Sequence, residues 1–128
     1  MRIVRNNGNW LVLGTCGRMR LDLHGIAFRN GFRVSGMSAT LGCSDRYLYD
    51  VFVRDVGLPP KAWLAQIRMV EARLRLRAGE GPGHVAGELG FSTLGSFRRE
   101  FIRCYGVSPV RYLEKMSERW RERLPGLN

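Results

Sequence analysis

The segment from Gly90 to Pro109 places arginines between apolar residues that recur at helical spacing. The apolar positions are Leu94, Phe97, Phe101, Ile102 and Tyr105, and the arginines are Arg98, Arg99 and Arg103. A Gly-Phe turn and a capping Ser92 precede this run, and Gly106 stops it before Ser108-Pro109 starts another helix. A short helix with an apolar back and an arginine-bearing front fits insertion into a DNA groove.

The charge of the whole chain also points to a polyanion. The 128 residues carry 21 Lys and Arg against 11 Asp and Glu, a formal net charge of +10 with a pI near 10.7. A surplus of this size usually serves nucleic acid and less often an anionic membrane surface. On composition alone, a basic protein that is merely soluble stays open as an alternative.

The surplus of positive charge lies outside the segments that we expect to read bases. Residues 33–60 and 78–109 are each neutral, because three Arg are balanced by three acidic residues in both. Residues 1–32 and 61–77 each carry +4, and residues 110–128 carry +2. Phosphate contacts should therefore come largely from flanking and linker segments, which position a protein on DNA without specifying sequence.

Neither composition nor spacing indicates a metal, a cofactor or an enzyme active site. Cys16, Cys43 and Cys104 form no C-x-x-C pair, and neither His24 nor His84 has a cysteine at ligand spacing. We expect reduced thiols, with Cys43 and Cys104 as small core residues. No nucleophile–base pair is visible, and no apolar run approaches the roughly 18 residues of a membrane span. The expected location is the cytoplasm, with no membrane partner.

Residues 1–32 are predicted to form an extension ahead of the helical part of the chain. Asn-Gly at positions 7 and 8 lies between two apolar runs and favours a small β-hairpin within residues 1–18. A short first helix is expected between Met19 and Asn30, although Gly25 weakens it.

Residues 33–59 are predicted to form a helix-turn-helix unit. The spacing predicts a helix over Val34–Leu41 that Gly42 stops, then a helix that Ser44 caps and that ends at Gly57. On its own this is a weak signal, since many helical domains contain such a pair.

Residues 79–124 repeat the same order of signals. Pro82 starts a helix that Gly90 stops, the capped arginine-bearing helix follows, and a terminal helix begins at Ser108-Pro109. Residues 60–78 predict one long helix between the two units. The expected fold class is therefore all-α, with two helix-turn-helix subdomains joined by a long linker helix and a small N-terminal β-hairpin. The expected core side chains are Leu48, Phe52, Trp63, Ile67, Phe97 and Phe101. The long helix is expected to have one apolar seam, and its apolar residues are Trp63, Leu64, Ile67, Ala72 and Leu74.

These residues resemble the AraC/XylS-type transcription regulators over about residues 34–112. The resemblance is carried by S-x-x-Y-L-x-x-x-F from Ser44 to Phe52, W-L-x-x-x-R-x-x-x-A from Trp63 to Ala72, V-A-x-E-L-G-F-S from Val85 to Ser92, and S-F-x-R-x-F-x-R-x-Y-G-V-S-P from Ser96 to Pro109. The resemblance implies a two-part helical DNA-binding domain that activates or represses transcription, often by touching RNA polymerase. The chain departs from the family pattern at Gly95, where a larger or polar residue is usual, and at Asp50, where Arg is common.

Exposed positions early in each capped helix match the base-facing positions of that family. The base-contact candidates are Arg46, Tyr49 and Asp50 in the first unit and Gly95, Ser96 and Arg99 in the second. Arg99 is the first candidate, because an arginine can donate hydrogen bonds to two acceptors of a guanine. The alternative for Arg99 is a phosphate contact or an ion pair with an acid such as Glu88. Asp50 either accepts from a cytosine amino group or restrains Arg46 or Arg54. The phosphate-contact candidates are Arg54, Lys61, Arg73, Arg98 and Arg103.

The predicted function is sequence-specific regulation of transcription by a protein that binds double-stranded DNA as a monomer. Two reading helices on one chain can enter successive major-groove segments about 34 Å apart without a dimer. The alternative is a truncated regulator or a protein-interaction module with weak, non-specific DNA binding, which the neutral reading units and Asp50 and Gly95 would explain.

Overall fold

In a computed structural model, described for residues 1–14 and 20–123, three short strands precede seven helices. The strands are β1 (Arg2–Asn6), β2 (Asn9–Leu13) and β3 (Arg20–Asp22). The helices are α1 (Leu23–Arg29), α2 (Val34–Leu41), α3 (Asp45–Asp55), α4 (Pro60–Arg77), α5 (Pro82–Glu88), α6 (Leu94–Tyr105) and α7 (Pro109–Arg123). The chain divides into two compact units, Met1–Arg68 and Met69–Asn128, with the boundary inside α4. Cys16, Met19 and Leu124, which the predictions include, lie outside the described residues.

The predicted N-terminal hairpin is confirmed and is part of a larger sheet. Strands β1 and β2 pair antiparallel, with Ile3 opposite Val12 and both side chains buried. Asn7 and Gly8 form the turn with φ of 51° and 83°, the positive values that Asn-Gly adopts readily. Strand β3 pairs antiparallel with β2 and completes the order β1-β2-β3.

The prediction of a helix from residue 19 is wrong at its start. Residues 20–22 form β3, and α1 begins at Leu23. The carboxylate of Asp22 accepts hydrogen bonds from the backbone N–H groups of His24 and Gly25, at 3.2 and 3.1 Å. This N-cap fixes the start of the helix and leaves the preceding residues extended.

The first helix-turn-helix is formed by α2 and α3, and both predicted helices are confirmed. Gly42 ends α2 at φ 70°, and the Ser44 hydroxyl accepts the Tyr47 N–H at 3.1 Å to cap α3. The buried Ser38 hydroxyl donates to the Asp45 carboxylate, which holds α2 against the first turn of α3. On its inner side α3 buries Leu48, Val51 and Phe52.

The second helix-turn-helix is formed by α5 and α6, and its cap differs from the prediction. Thr93 caps α6, because its Oγ1 accepts the Ser96 N–H at 3.0 Å, so the prediction of Ser92 is wrong. A cap reaches only the N–H two or three residues ahead, and α6 starts at Leu94. Phe101 then packs against Phe97, Tyr105 and Tyr112, with ring centroids between 4.7 and 5.8 Å apart.

The long helix α4 is confirmed, but its apolar seam differs from the expected one. Met69, Ala72 and Leu76 are buried, whereas Leu74 is 49% exposed and Ile67 is half-buried. Two residues turn a helix by about 200°, so Leu74 must face away from the side that carries positions 72 and 76.

The two described cysteines differ from each other. Cys43 is half-buried, while Cys104 is exposed, so the prediction of a core role for Cys104 is wrong. Phe101 and Tyr105 occupy the inner side at that end of α6 and leave Cys104 outside. Among residues 1–14 and 20–123, no helix is long and apolar enough to cross a membrane.

Candidate DNA interface

The first two turns of α3 present the base-contact candidates of the first unit to solvent. Arg46 and Asp50 are exposed over 86% and 60% of their side chains and form an i, i+4 ion pair, with Arg46 Nε 3.6 Å from Asp50 Oδ2. Tyr49 is exposed beside them. The contact that a restraining role of Asp50 requires is therefore present, and its partner is Arg46.

Two further exposed side chains of α3 were not among the candidates. Tyr47 lies in the first turn and Val53 in the third, and both are more than two-fifths exposed. An exposed aromatic or aliphatic side chain on such a helix can contact a thymine methyl group. In the sequence, Tyr47 lies within a motif that resembles the family pattern. Because apolar residues at helical spacing usually belong to the core, the sequence did not indicate that Tyr47 is exposed.

The first turns of α6 bring together the candidates of the second unit. Arg98 and Arg99 are exposed, and Arg99 Nη1 lies 3.6 Å from the point where a Cβ at Gly95 would stand. Among the described residues Arg99 has no salt bridge, so the ion pair with Glu88 is not formed. The Ser96 hydroxyl donates to the Thr93 carbonyl oxygen at 2.8 Å and is engaged in the cap. Arg99 is thus the best-presented candidate on α6.

Counting from the caps gives a position-by-position comparison of α3 and α6. With Ser44 matched to Thr93, a left-handed glycine follows each cap at a distance of thirteen residues, Gly57 at φ 86° and Gly106 at φ 77°. Gly106 is the C-cap of α6, whereas α3 has Val56 as its C-cap and Gly57 follows it. The base-contact candidates Arg46, Tyr49 and Asp50 then correspond to Gly95, Arg98 and Arg99. The two helices therefore share geometry and differ in charge at the positions that face outward.

Arg54, a predicted phosphate contact, is tied into the first unit. Its Nε donates to Asp55 Oδ1 and its Nη2 to the Met1 carbonyl oxygen, both at 2.8 Å. Asp55 Oδ2 also accepts the Ile3 N–H at 2.9 Å. The hydrogen bond from Arg54, followed by that from Ile3, lowers the pKa of Asp55 to about 2 against the opposing effect of burial. These contacts join β1 to the C-terminal end of α3.

The other phosphate candidates differ in how freely they are presented. Lys61 and Arg98 are exposed and make no salt bridge with any described residue. Arg103 is largely exposed but is paired with Glu100. Arg73 is half-buried, with its guanidinium 5.6 Å from the centre of the Tyr105 ring. Lys61 and Arg98 can meet phosphate without first giving up a partner.

Two capped helices, each the second of a helix-turn-helix and each with an exposed first half, define the class of protein: a DNA-binding fold of the helix-turn-helix type. No group of three His, Cys, Asp or Glu side chains able to hold a metal ion occurs in the part of the chain that the structure describes.

Comparisons with known proteins give the family. A family model described as "Helix-turn-helix domain" matches residues 37–115. The DNA-binding domain of AdpA, a global transcriptional factor solved with a target DNA, is 28% identical with a TM-score of 0.61, covering 78% of this chain and 90% of that one. The C-terminal domain of the two-component response regulator YesN from Fusobacterium nucleatum is 27% identical with a TM-score of 0.62, covering 70% and 89%.

A curated relative, an HTH-type transcriptional regulator from Mycobacterium tuberculosis, is 32% identical over 81 residues, which is 62% of this chain and 31% of that protein. The Msm operon regulatory protein of Streptococcus mutans is 26% identical over 93 residues, which is 70% and 32%. The chain spans about a third of the length of these curated relatives. The chain belongs to the AraC-type family of helix-turn-helix transcription regulators.

Proposed function

We propose that this protein regulates transcription by binding double-stranded DNA at a specific sequence, with α3 and α6 reading two successive major-groove segments. The observation that carries the proposal is the pair of cap-matched helices on one chain, each exposed along its first two turns. The solved complex of the AdpA domain with its target DNA supports the same partner for this chain.

The two helices are given different parts in this proposal. Arg99 supplies the main base contact of α6, because its guanidinium is exposed and unpaired among the described residues and can bond both acceptors of a guanine. Tyr49 and Arg46 contribute on α3, with Asp50 holding Arg46. Lys61 and Arg98 contact phosphate and fix the register without specifying sequence. Gly95 supplies no side chain at its position.

Binding as a monomer in the cytoplasm, with RNA polymerase as a second partner, completes the proposal. One chain already carries two reading helices, so two-fold symmetry is not needed to occupy two groove segments. Light scattering of the complex should give one chain per duplex. Pull-down of polymerase on an operator fragment should depend on this protein.

Selection from random duplexes tests the function most directly. We expect a recovered motif with two blocks centred about 10 base pairs apart, one for each helix. Titration of that duplex across salt concentrations should give a slope near −0.9 per phosphate neutralised, with clearly weaker binding to a scrambled duplex. A flat salt response with no enriched motif would remove the proposal.

An interaction module is the second candidate function, and one surface of the second unit favours it. Trp120 and Val110 on α7 are 64% and 57% exposed, and Trp120 borders an open groove of about 820 Å³ that Tyr112 and Met116 also line. An obligate oligomer in light scattering, together with no binding to the selected duplex, would favour this function over DNA reading.

A further inference from the structure

An apolar stripe on α7 lines an open groove in the second unit, the α7 groove, whose volume is about 820 Å³. Tyr112, Met116 and Trp120 form the stripe, because residues four positions apart lie on one side of a helix. Trp120 is 64% exposed, and the other two are half-buried. Single exposed apolar side chains are ordinary, whereas several that line one groove are typical of a binding surface.

Aromatic packing holds one wall of the α7 groove in place. The Tyr112 ring lies 5.7 Å from the Phe101 ring and is stacked on Tyr105, which also lines the groove, at 6.3 Å between centroids. The Arg73 guanidinium lies 5.6 Å from the centre of the Tyr105 ring. A bound molecule therefore meets a preformed surface, and little affinity is lost in ordering it.

The rim of the α7 groove is positively charged. Arg77 at the end of α4 and Lys115 and Arg119 on α7 line the groove, and all three are exposed. None of them forms a salt bridge with a described residue, and no described residue that lines the groove is acidic.

The acidic residues of α7 do not neutralise this rim. Glu114 and Glu118 both pair with Arg111, whose Nη1 lies 3.1 and 3.5 Å from their carboxylate oxygens. Glu122 does not line the groove and has no salt bridge with a described residue. The groove therefore combines apolar walls with three available cations, an arrangement complementary to apolar side chains flanked by carboxylates.

Charge and length decide between the possible occupants of the groove. A second copy of this chain carries the same net charge of +10 and would bring the same cations to a two-fold interface, where they would repel. A DNA backbone would meet the cations and leave the apolar stripe uncovered. The stripe from Tyr112 to Trp120 is about 12 Å long at 1.5 Å per residue, close to the roughly 10 Å between the outer anchors of an i, i+4, i+7 helix.

We propose that the α7 groove docks an acidic amphipathic helix of a partner protein. Apolar anchors of that helix pack on Met116 and Trp120, and its Asp and Glu side chains pair with the cations of the rim. DNA reading can continue at the same time, because the groove begins at Tyr105, about 9 Å along α6 beyond Arg99. The inference goes beyond DNA binding and does not depend on it.

Titration of labelled synthetic peptides against the full chain tests the docking. The probe is a helical peptide of about 15 residues with Leu at anchor positions i, i+4 and i+7 and Glu on both sides of them. The comparison peptide has Lys in place of every Glu. We expect fluorescence anisotropy to show binding of the acidic peptide and at least about tenfold weaker binding of the lysine peptide, which the rim repels.

A pair of alanine variants tests the apolar stripe. Trp120→Ala should weaken binding of the acidic peptide roughly 30-fold, as loss of a large aromatic anchor does at interfaces. Val110→Ala removes a similarly exposed side chain of α7 that does not line the groove, and it should change the affinity less than about twofold.

A pair of double variants tests the rim. Lys115→Gln with Arg119→Gln should weaken binding of the acidic peptide roughly 3- to 10-fold, because two exposed ion pairs are lost. Arg29→Gln with Arg33→Gln removes the same charge from exposed positions of the first unit and should have less than about a twofold effect. Thermal unfolding of each variant shows that the fold is kept, and the glutamine pair keeps the test decisive if Trp120→Ala unfolds the protein.

Several results would overturn the docking. They are no binding of the acidic peptide, equal binding of the two peptides, or equal effects of the groove variants and their controls. A dimer in light scattering that Trp120→Ala dissociates would assign the groove to a second copy. A fall of about 1.8 in the salt slope of duplex binding for Lys115→Gln with Arg119→Gln would assign the cations to phosphate. Failure of the wild type to select any DNA motif would instead overturn the proposed function and leave the peptide result standing.

Discussion

Helices α3 and α6 share the residues that fix their ends and differ in the side chains that they expose. Each begins at a side-chain cap and buries phenylalanine on its inner side, and a left-handed glycine stands at the same distance from each cap. On α3 the outward positions form an Arg46–Asp50 ion pair, whereas on α6 the corresponding positions are Gly95 and Arg99. On α3 the charge of Arg46 is therefore partly neutralised by Asp50. On α6 the Arg99 guanidinium has no salt bridge among the described residues, and the neighbouring Gly95 has no side chain.

Under the proposed function, the fold and the specificity depend on different residues. Capping, glycine stops and buried aromatics are common to both units and set where each helix lies. The outward positions are free of packing, so substitution there costs little stability, and under the proposed function it changes recognition.

Substitution of Arg99 should have the largest effect on binding. If Arg99 contacts a guanine through two hydrogen bonds, Arg99→Ala loses about 1–3 kcal/mol of discrimination at one base pair of the α6 block. Competition with duplexes that vary at each position of the selected motif measures this loss.

The neighbouring exposed arginine provides the matched control. Arg98→Ala should weaken all duplexes alike and reduce the salt slope by about 0.9. If Arg99→Ala also lowers every affinity equally, then Arg99 is a phosphate contact and α6 reads bases through other side chains.

The anchoring of the two helices differs at Asp55, whose cap-matched counterpart on α6 is the exposed Cys104. Asp55→Asn keeps an acceptor for the Ile3 N–H but removes the charge that Arg54 binds. We expect a loss of about 1–2 kcal/mol in the free energy of unfolding at pH 7, reduced from the full shift because Arg54 is more than half exposed.

The pH dependence of that difference has a defined sign. Folding lowers the pKa of Asp55 from 3.8 to about 2, so its contribution is complete above the unfolded pKa and is lost as the pH falls through about 2. Wild type and Asp55→Asn should therefore converge in urea denaturation midpoint between pH 4 and pH 2. A difference that persists unchanged at pH 2 would show that the charge is not the source.

Several helix ends were predictable because the residues that fix them lie next to those ends in the sequence. Gly42 and Ser44 stand next to the ends that they fix, so α2 and α3 follow from the sequence. The start of α6 does not, since Ser92 and Thr93 are adjacent and either hydroxyl could cap. Strand β3 has only three residues and carries no usable periodicity.

The role of Arg54 depends on residues that are distant in the chain. Its hydrogen bond to the Met1 carbonyl oxygen spans 53 positions, and the bond from Ile3 to Asp55 spans 52. No local sequence pattern distinguishes an arginine that is paired within the fold from one that is available to bind phosphate. Base-facing positions were predicted from resemblance and exposure, and their chemistry remains a prediction.

Gly95 should limit the stability of α6 more than its binding. A Cβ there would lie 3.6 Å from Arg99 Nη1 and 3.9 Å from Thr93 Oγ1, which is ordinary contact. Gly95→Ala should therefore raise stability by about 0.5–1 kcal/mol, because glycine loses more backbone entropy in a helix. Thermal unfolding measures the gain, and Gly87→Ala in α5, which meets open space, is the control with a similar gain. A large loss of DNA affinity for Gly95→Ala alone would show that the backbone at Gly95 approaches the duplex closely.

Asp50 gives the smallest change in stability and the clearest choice between its two interpretations. The Arg46–Asp50 pair is solvent-exposed, so Asp50→Asn should cost at most about 0.5 kcal/mol of folding free energy. If Asp50 only restrains Arg46, the variant frees a cation and binds all duplexes somewhat more tightly, with the order of preference kept. If Asp50 accepts from a cytosine amino group, preference at one base pair of the α3 block changes instead. The double variant Arg46→Gln with Asp50→Asn completes a double-mutant cycle. If Asp50 restrains Arg46, the gain in DNA affinity from Asp50→Asn disappears in the absence of Arg46. If Asp50 contacts a cytosine directly, the change in base preference persists.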